Sequence, residues 1–187
     1  MKNDALKTEK YKGHIIEIYQ DVDPISPRED DNICVIHTAH KRYNFGDVDH
    51  SSLESIKKAE KEAEDNGDII LPLYMYDHSG VTISLNPFSC PWDSGQVGIV
   101  VVSRKKILEE FGGKKFTAKL KEKALKIAEN EVKDLDSYIR GDIYGFVIDN
   151  SDDSDDSCWG FYGEEEALSE AKGIVDYRVE NVETVEN

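Results

Sequence analysis

No run in this chain reaches the ~20 apolar residues that span a bilayer, so the sequence does not read as a membrane protein. The first residues, Met1-Lys2-Asn3-Asp4-Ala5-Leu6-Lys7, are polar and lack the apolar core of an export signal. Cysteine is scarce. Cys34, Cys90 and Cys158 form an odd, scattered set, which argues against a disulfide scaffold in a chain without an export signal. The expected compartment is the cytoplasm. GxxxxGK[ST], a GxGxxG after a strand and GxSxG are all missing, so nucleotide-dependent and serine-hydrolase chemistry have no motif to rest on. No repeat of 20–50 residues recurs.

What is present is a chain of 187 residues, 39% hydrophobic and 33% charged. A chain of this size buries roughly two-thirds of its unfolded surface, so it needs no metal or disulfide to fold, and no cofactor is expected. Its length suits one domain. The expected organisation is a frayed N-terminus over 1–10, a single α+β domain over 11–175 and an acidic C-terminal tail over 176–187.

Local patterns place the elements. His14 to Tyr19 and Ile33 to His37 are rich in β-branched residues and read as strands, joined as a hairpin by a long acidic loop. Ser51 or Ser52 caps a helix ended by Asn66-Gly67. Ile69 to Tyr76 reads as a strand in which Pro72 implies an edge or a bulge. Val81 to Leu85 follows a turn at residues 77–80. The apolar run Gly98 to Val102 reads as a buried central strand. Ser103 caps a short helix stopped by Gly112-Gly113. Thr117 caps a longer one with Leu120, Ala124, Ile127, Ala128, Leu135 and Ile139 on one face. Strands from Ile143 to Ile148 and Cys158 to Tyr162 flank an acidic hairpin loop, and a last helix runs from Glu164 to Lys172. Irregular alternation of strands and helices predicts an α+β fold: an antiparallel or mixed sheet with helices packed mainly on one face.

Charge is unevenly distributed. The net charge is −16, and residues 142–187 hold 14 acidic side chains against only Lys172 and Arg178, a net of −12. Such a field repels phosphates and attracts basic surfaces over a Debye length of ~8–10 Å. The ordinary alternative is that an acidic surface serves solubility alone.

The densest polar segment is residues 71–98, LPLYMYDHSGVTISLNPFSCPWDSGQVG. Rigid loops of polar residues among prolines and glycines are common carriers of function, although a complicated turn built for folding has the same composition. One reading is a hydrolase with Cys90 as nucleophile, His78 as base and Asp77 or Asp93 as orienter. Against it, Cys90 lies between Ser89 and Pro91 rather than at a helix start that would favour its thiolate. A zinc site from Cys90, Cys158, His78 and Asp77 has no CxxC or HxxxH spacing behind it. The acidic loop from Asp149 to Asp156 lacks the glycine and distal glutamate of a calcium loop. Basic residues cluster at Arg104, Lys105, Lys106, Lys114 and Lys115, a candidate weak nucleic-acid patch. The lysines of the following helix alternate with glutamates, as on any solvated face.

The strings PLYMYDHSG, ISLNPFSCPWDSGQVG, VVSR, YIRGDIYGFVI and SCWGFYG, covering residues 69–163, resemble a group of small proteins of bacteriophages and prophages. The resemblance assigns no activity and no site residues. Small acidic phage accessory proteins resemble, as a class, counter-defence proteins: DNA mimics and anti-CRISPR inhibitors. The expectation is therefore a non-enzymatic inhibitor in the host-cell cytoplasm that binds a basic nucleic-acid-handling effector such as Cas9, whose channels are positively charged. Its candidate contacts are Asp152, Asp153, Asp155, Asp156, Glu164, Glu165 and Glu166. Trp92, Trp159 and Tyr162 are candidate aromatic anchors, with core packing as the competing role for the tryptophans.

Overall fold

The computed structural model describes residues 4–113, 115–149 and 156–185. In chain order the elements are β1 (Lys7–Tyr11), β2 (His14–Gln20), a 3-10 turn (Pro27–Glu29), β3 (Cys34–Thr38), β4 (Val48–Asp49), α1 (Leu53–Asn66), β5 (Ile69–Asp77), β6 (Val81–Ser84), β7 (Ser94–Val102), α2 (Arg104–Phe111), α3 (Ala118–Arg140), β8 (Ile143–Ile148), β9 (Asp156–Tyr162) and α4 (Glu164–Val185). The fold is α+β, with one antiparallel and one mixed sheet. The chain divides into two compact units. One joins residues 1–25 to residues 141–187, and the other is the intervening stretch 26–140. Among the described residues no helix is long and apolar enough to cross a membrane.

The intervening unit is built on a sheet of order β4-β3-β7-β5-β6. Its centre is β7, as the apolar run predicts. Successive side chains of a strand point to opposite faces, and here both faces are apolar. Val100 and Val102 join Leu73, Ile83 and the α3 residues Ala124, Ala128, Val132 and Leu135. Ile99 and Val101 join Ile56 and Ala63 of α1. A strand apolar on both sides needs cover on both, so this sheet carries a helix on each face. Ile107 of α2 packs with α3 on the first of these faces, so two of this unit's three helices share one side, in keeping with the expected helices mainly on one face. Ser52 and Ser103 cap α1 and α2 through backbone N–H groups of Ser55 and Lys106, and Thr117 Oγ1 accepts from Leu120 N. Pro72 pairs with Ile99 on β7, while β6 begins its pairing only at Tyr74, beyond a bulge between Leu73 and Tyr74. Proline's missing donor therefore faces a stretch with no second neighbour strand.

The other unit has a fully antiparallel sheet of order β1-β2-β8-β9 covered by α4. Ala167, Ala171 and Val175 are small, so the helix seats closely on Ile16, Ile18, Phe146 and Ile148. The strand β1 occupies much of the stretch expected to fray. Its polar sequence hides a hairpin whose two-residue turn, Lys12-Gly13, has positive φ at both positions (46° and 88°), the geometry that matches strand twist. The expected pairing of the second strand with the third does not form: β2 pairs with β1 and β8, and β3 pairs with β4 and β7. The helix α4 runs on to Val185, through most of the expected tail, because Ile174, Val175 and Val179 extend the apolar stripe past Gly173.

Candidate functional site

The 77–96 segment forms one cluster at the end of the β5–β6 hairpin. The hairpin turn places Ser79 at φ 59°. Asp77 N donates to Asp93 O at 2.9 Å, tying this turn to the start of β7. The Asp93 carboxylate sits at the centre: its Oδ2 lies 3.3 Å from His78 Nδ1 and accepts from Cys90 Sγ at 3.5 Å. Ser94 Oγ donates to Cys90 O at 2.5 Å. Cys90, His78 and Asp93 therefore do meet, but in an order unlike a nucleophile–base–orienter chain. A nucleophilic thiol needs the imidazole as its proton acceptor, and here both groups address the same carboxylate oxygen. Asp77 turns elsewhere, to Arg42 Nη2 at 3.4 Å and Tyr43 Oη at 3.4 Å. Among the described residues no group of three His, Cys, Asp or Glu side chains converges as metal ligands.

Trp92 protrudes from this cluster with 93% of its surface exposed. It occupies the turn at residues 91–93, so the core-packing role does not apply to it. Trp159 is about half exposed. It lies on the sheet face away from α4, over Gly145, where a methyl group would overlap its ring, and its centroid is 6.2 Å from that of Tyr19. Tyr162, at the end of β9, is half-buried.

The acidic candidates fall in the discontinuous unit. Asp156 pairs with Arg178 and Glu164 with Lys7 at 3.2 Å. Glu165 and Glu166 are exposed in the first turn of α4, where helix N-termini favour negative charge. Asp152, Asp153 and Asp155 lie outside the described residues. This unit holds 19 acidic and 6 basic side chains, a net of −13, against 20 and 17, a net of −3, in the intervening unit. Four of its six cations are tied to its own carboxylates: Lys7, Lys12 to Asp176 at 2.9 Å, Lys172 to Glu9 at 2.6 Å, and Arg178. The hydrogen bond from Lys12 holds the Asp176 pKa below the usual carboxylate value. The outward side of α4 presents Glu165, Glu166 and Glu170.

The basic candidates lie in the intervening unit, where residues 104–126 carry nine cations and three anions. Several are engaged. Lys106 Nζ donates to Asp31 at 2.9 Å and to the Asn32 carbonyl at 2.5 Å. Lys105 reaches Glu109 at 3.7 Å, and Arg104 lies over the Phe116 ring. Lys115 is exposed, and Lys114 lies outside the described residues. Arg104 and Lys105 border an open cleft of about 570 Å³ with Asp68, Ser103 and Leu108.

Two polar constellations escape sequence reading. Arg28 bridges Asp47 and Glu131, and these carboxylates accept backbone N–H groups of Ile33, Cys34 and Ile36. The signal was available: Arg28 is the one cation between Lys12 and Lys41, inside an acidic loop. His37 Nδ1 and His50 Nε2 face each other at 3.0 Å, and no spacing announces that pair. No family model, no curated protein and no solved structure matches the chain, so the reading of its sites rests on the geometry above.

Proposed function

We propose that the protein is a phage or mobile-element counter-defence protein, an anti-CRISPR inhibitor that docks on a basic nucleic-acid-handling effector of the Cas9 type and blocks its nuclease action. The observation that carries this reading is the partition of charge. A net of −13 is concentrated in one unit whose cations are mostly neutralised internally, and among the described residues Glu165, Glu166 and Glu170 stand as an exposed acidic row on α4 without an ion pair. A field of that sign speeds encounter with a basic surface and repels free nucleic acid. The resemblance of residues 69–163 to phage proteins supports the setting. The test is target cleavage by guide-loaded Cas9 with and without the protein. Inhibition that weakens from 50 to 500 mM salt, and that slows in onset when Glu165, Glu166 and Glu170 are all changed to glutamine, is expected. Unimpaired cleavage removes Cas9 as the partner, and salt-independent binding removes electrostatic docking.

A second reading, nucleic-acid binding through Arg104, Lys105, Lys106 and Lys115, draws on the excess of cations over 104–126. It predicts a mobility shift of DNA or RNA at low salt by the isolated protein. The net charge of −16 opposes it.

A further inference from the structure

We propose that Trp92 and Asp93 form a recognition site for an arginine side chain of the protein partner. The inference rests on the partner being basic, but it names a place and a side chain that the acidic row on α4 does not supply.

An indole at 93% exposure is an unusual use of a large apolar surface, because folding normally hides it. The loop that carries Trp92 is held from several directions. Ser94 Oγ bonds the Cys90 carbonyl at 2.5 Å, Cys90 Sγ bonds the Asp93 carboxylate at 3.5 Å, and Asp77 N bonds the Asp93 carbonyl at 2.9 Å. Pro91 precedes the tryptophan and restricts the chain further. The ring is thus presented by a loop already held in shape, and a partner pays little to order it.

The chemistry beside the ring selects the occupant. An apolar pocket closing over Trp92 would bury Asp93, His78 and Ser89 against hydrocarbon, and buried polar groups without partners are costly. A guanidinium avoids this: its flat face stacks on the indole while its N–H groups reach the carboxylate. Asp93 has room for it, since among the described residues its hydrogen bonds all go to Oδ2, leaving Oδ1 open, and the side chain is 38% exposed. The neighbouring Asp77 is already matched by Arg42, so Asp93 is the acid left for an incoming cation. A lysine satisfies the charge but not the flat stack, so arginine is favoured.

The experiment uses the full chain and a nona-arginine peptide as probe, with nona-lysine for comparison, at 150 mM salt. In the Trp159→Phe variant, Trp92 is the sole tryptophan, and its emission should change on adding nona-arginine. Trp92→Ala keeps the net charge at −16 and removes a ring that is almost fully exposed, so it should unfold at the same denaturant concentration as the native chain. It should bind nona-arginine at least tenfold more weakly, and Asp93→Asn should also weaken binding and narrow the preference over nona-lysine. Equal affinity of Trp92→Ala and the native chain for nona-arginine overturns the proposal, as does an unchanged Trp92 emission at saturation. Cas9 inhibition separates this from the functional reading. If Trp92→Ala inhibits as well as the native chain while the Glu165/Glu166/Glu170 variant does not, the arginine site is wrong and the acidic docking stands. If the native chain inhibits nothing but retains a Trp92-dependent preference for nona-arginine, the reverse holds.

Discussion

Replacing Arg28 with methionine would remove one cation from between two carboxylates, and the structure sets the size of the effect. Arg28 is 10% exposed, Glu131 12% and Asp47 24%. Its Nε and Nη2 donate to the two Asp47 oxygens at 2.9 and 2.7 Å, Nη1 to Glu131 at 3.1 Å, and Nη2 also to the Cys34 carbonyl at 2.8 Å. Burial alone would lower the Arg28 pKa, but the hydrogen bonds to Asp47 and Glu131 outweigh it and hold it above the ordinary guanidinium value. Breaking a buried pair by deleting one partner costs about 3–5 kcal/mol. Backbone N–H groups of Ile33, Cys34 and Ile36 stay on the two carboxylates, and Asp47 is partly solvated, so the lower end applies, about 3 kcal/mol. At a urea slope of about 1.5 kcal/mol per M, the unfolding midpoint of this unit, followed by far-UV circular dichroism, should fall by about 2 M. Adding Glu131→Gln to the Arg28→Met variant should cost less than the sum of the two single changes, because the second removes a charge already stranded. A midpoint shift under about 0.5 M would show that water, not Arg28, neutralises these carboxylates.

Three further outcomes follow from the geometry. Burial, and after it the neighbouring His50, holds the His37 pKa below its ordinary value of 6.5. The unfolded chain therefore takes up a proton first, so this contribution to stability is complete above about pH 6.5 and falls as pH drops below it. Urea titrations at pH 7.5 and 5.5 should show that loss, and His37→Gln should reduce it. Burial, followed by the Glu131 carboxylate, pushes the Cys34 thiol far up, so Ellman's reagent should titrate Cys90 and Cys158 in the native protein and Cys34 only after denaturation; three fast thiols would refute the burial. Gly145→Ala puts a methyl group into the Trp159 ring. It should cost about 1–3 kcal/mol by overpacking and red-shift the emission of Trp159 in a Trp92→Ala background, while an unchanged spectrum would mean that the indole does not rest there.

The strands and helices that depend on short-range pattern are legible in the sequence; their pairing is not. The run Gly98 to Val102 declares a central strand because it is continuously apolar, and the observed β7 is the middle of five. The α3 face reads correctly because Ala124, Ala128 and Leu135 recur at helical steps and are buried. The partners of β2 depend on a distant choice. Its Ile16 and Ile18 need Ile148 and Phe146 opposite them to share α4, and nothing local distinguishes that pairing from a hairpin with residues 33–37. The division into two units follows from this one pairing, since it brings the N-terminal strands to the C-terminal ones. The missed β1 is lost for another reason: as an edge strand its outward residues, Thr8 and Lys10, are polar, and its alternation is written in Lys7, Glu9 and Tyr11, whose stems and ring are only half-buried.

Of the candidate site, the residue types are legible and their environments are not. The clustering of Cys90, His78 and Asp93 follows from their loop, yet which group stands between the other two depends on the register of β5 against β7 at Tyr76 and Ser94. The acidity of residues 142–187 is plain from composition, but only the fold shows that Lys7 and Lys12 serve the same unit and are spent on Glu164 and Asp176. This separation has a kinetic consequence for the proposed partner. On the proposed docking, Glu165, Glu166 and Glu170 of α4 would act at a distance and set the rate of encounter, whereas Trp92 would act only in contact and set the lifetime of the complex. Measured by surface plasmon resonance, changing Glu165, Glu166 and Glu170 to glutamine should lower the association rate with little effect on dissociation, and Trp92→Ala should do the opposite. A Trp92→Ala variant that slows association instead would place the tryptophan in the encounter rather than in the bound contact.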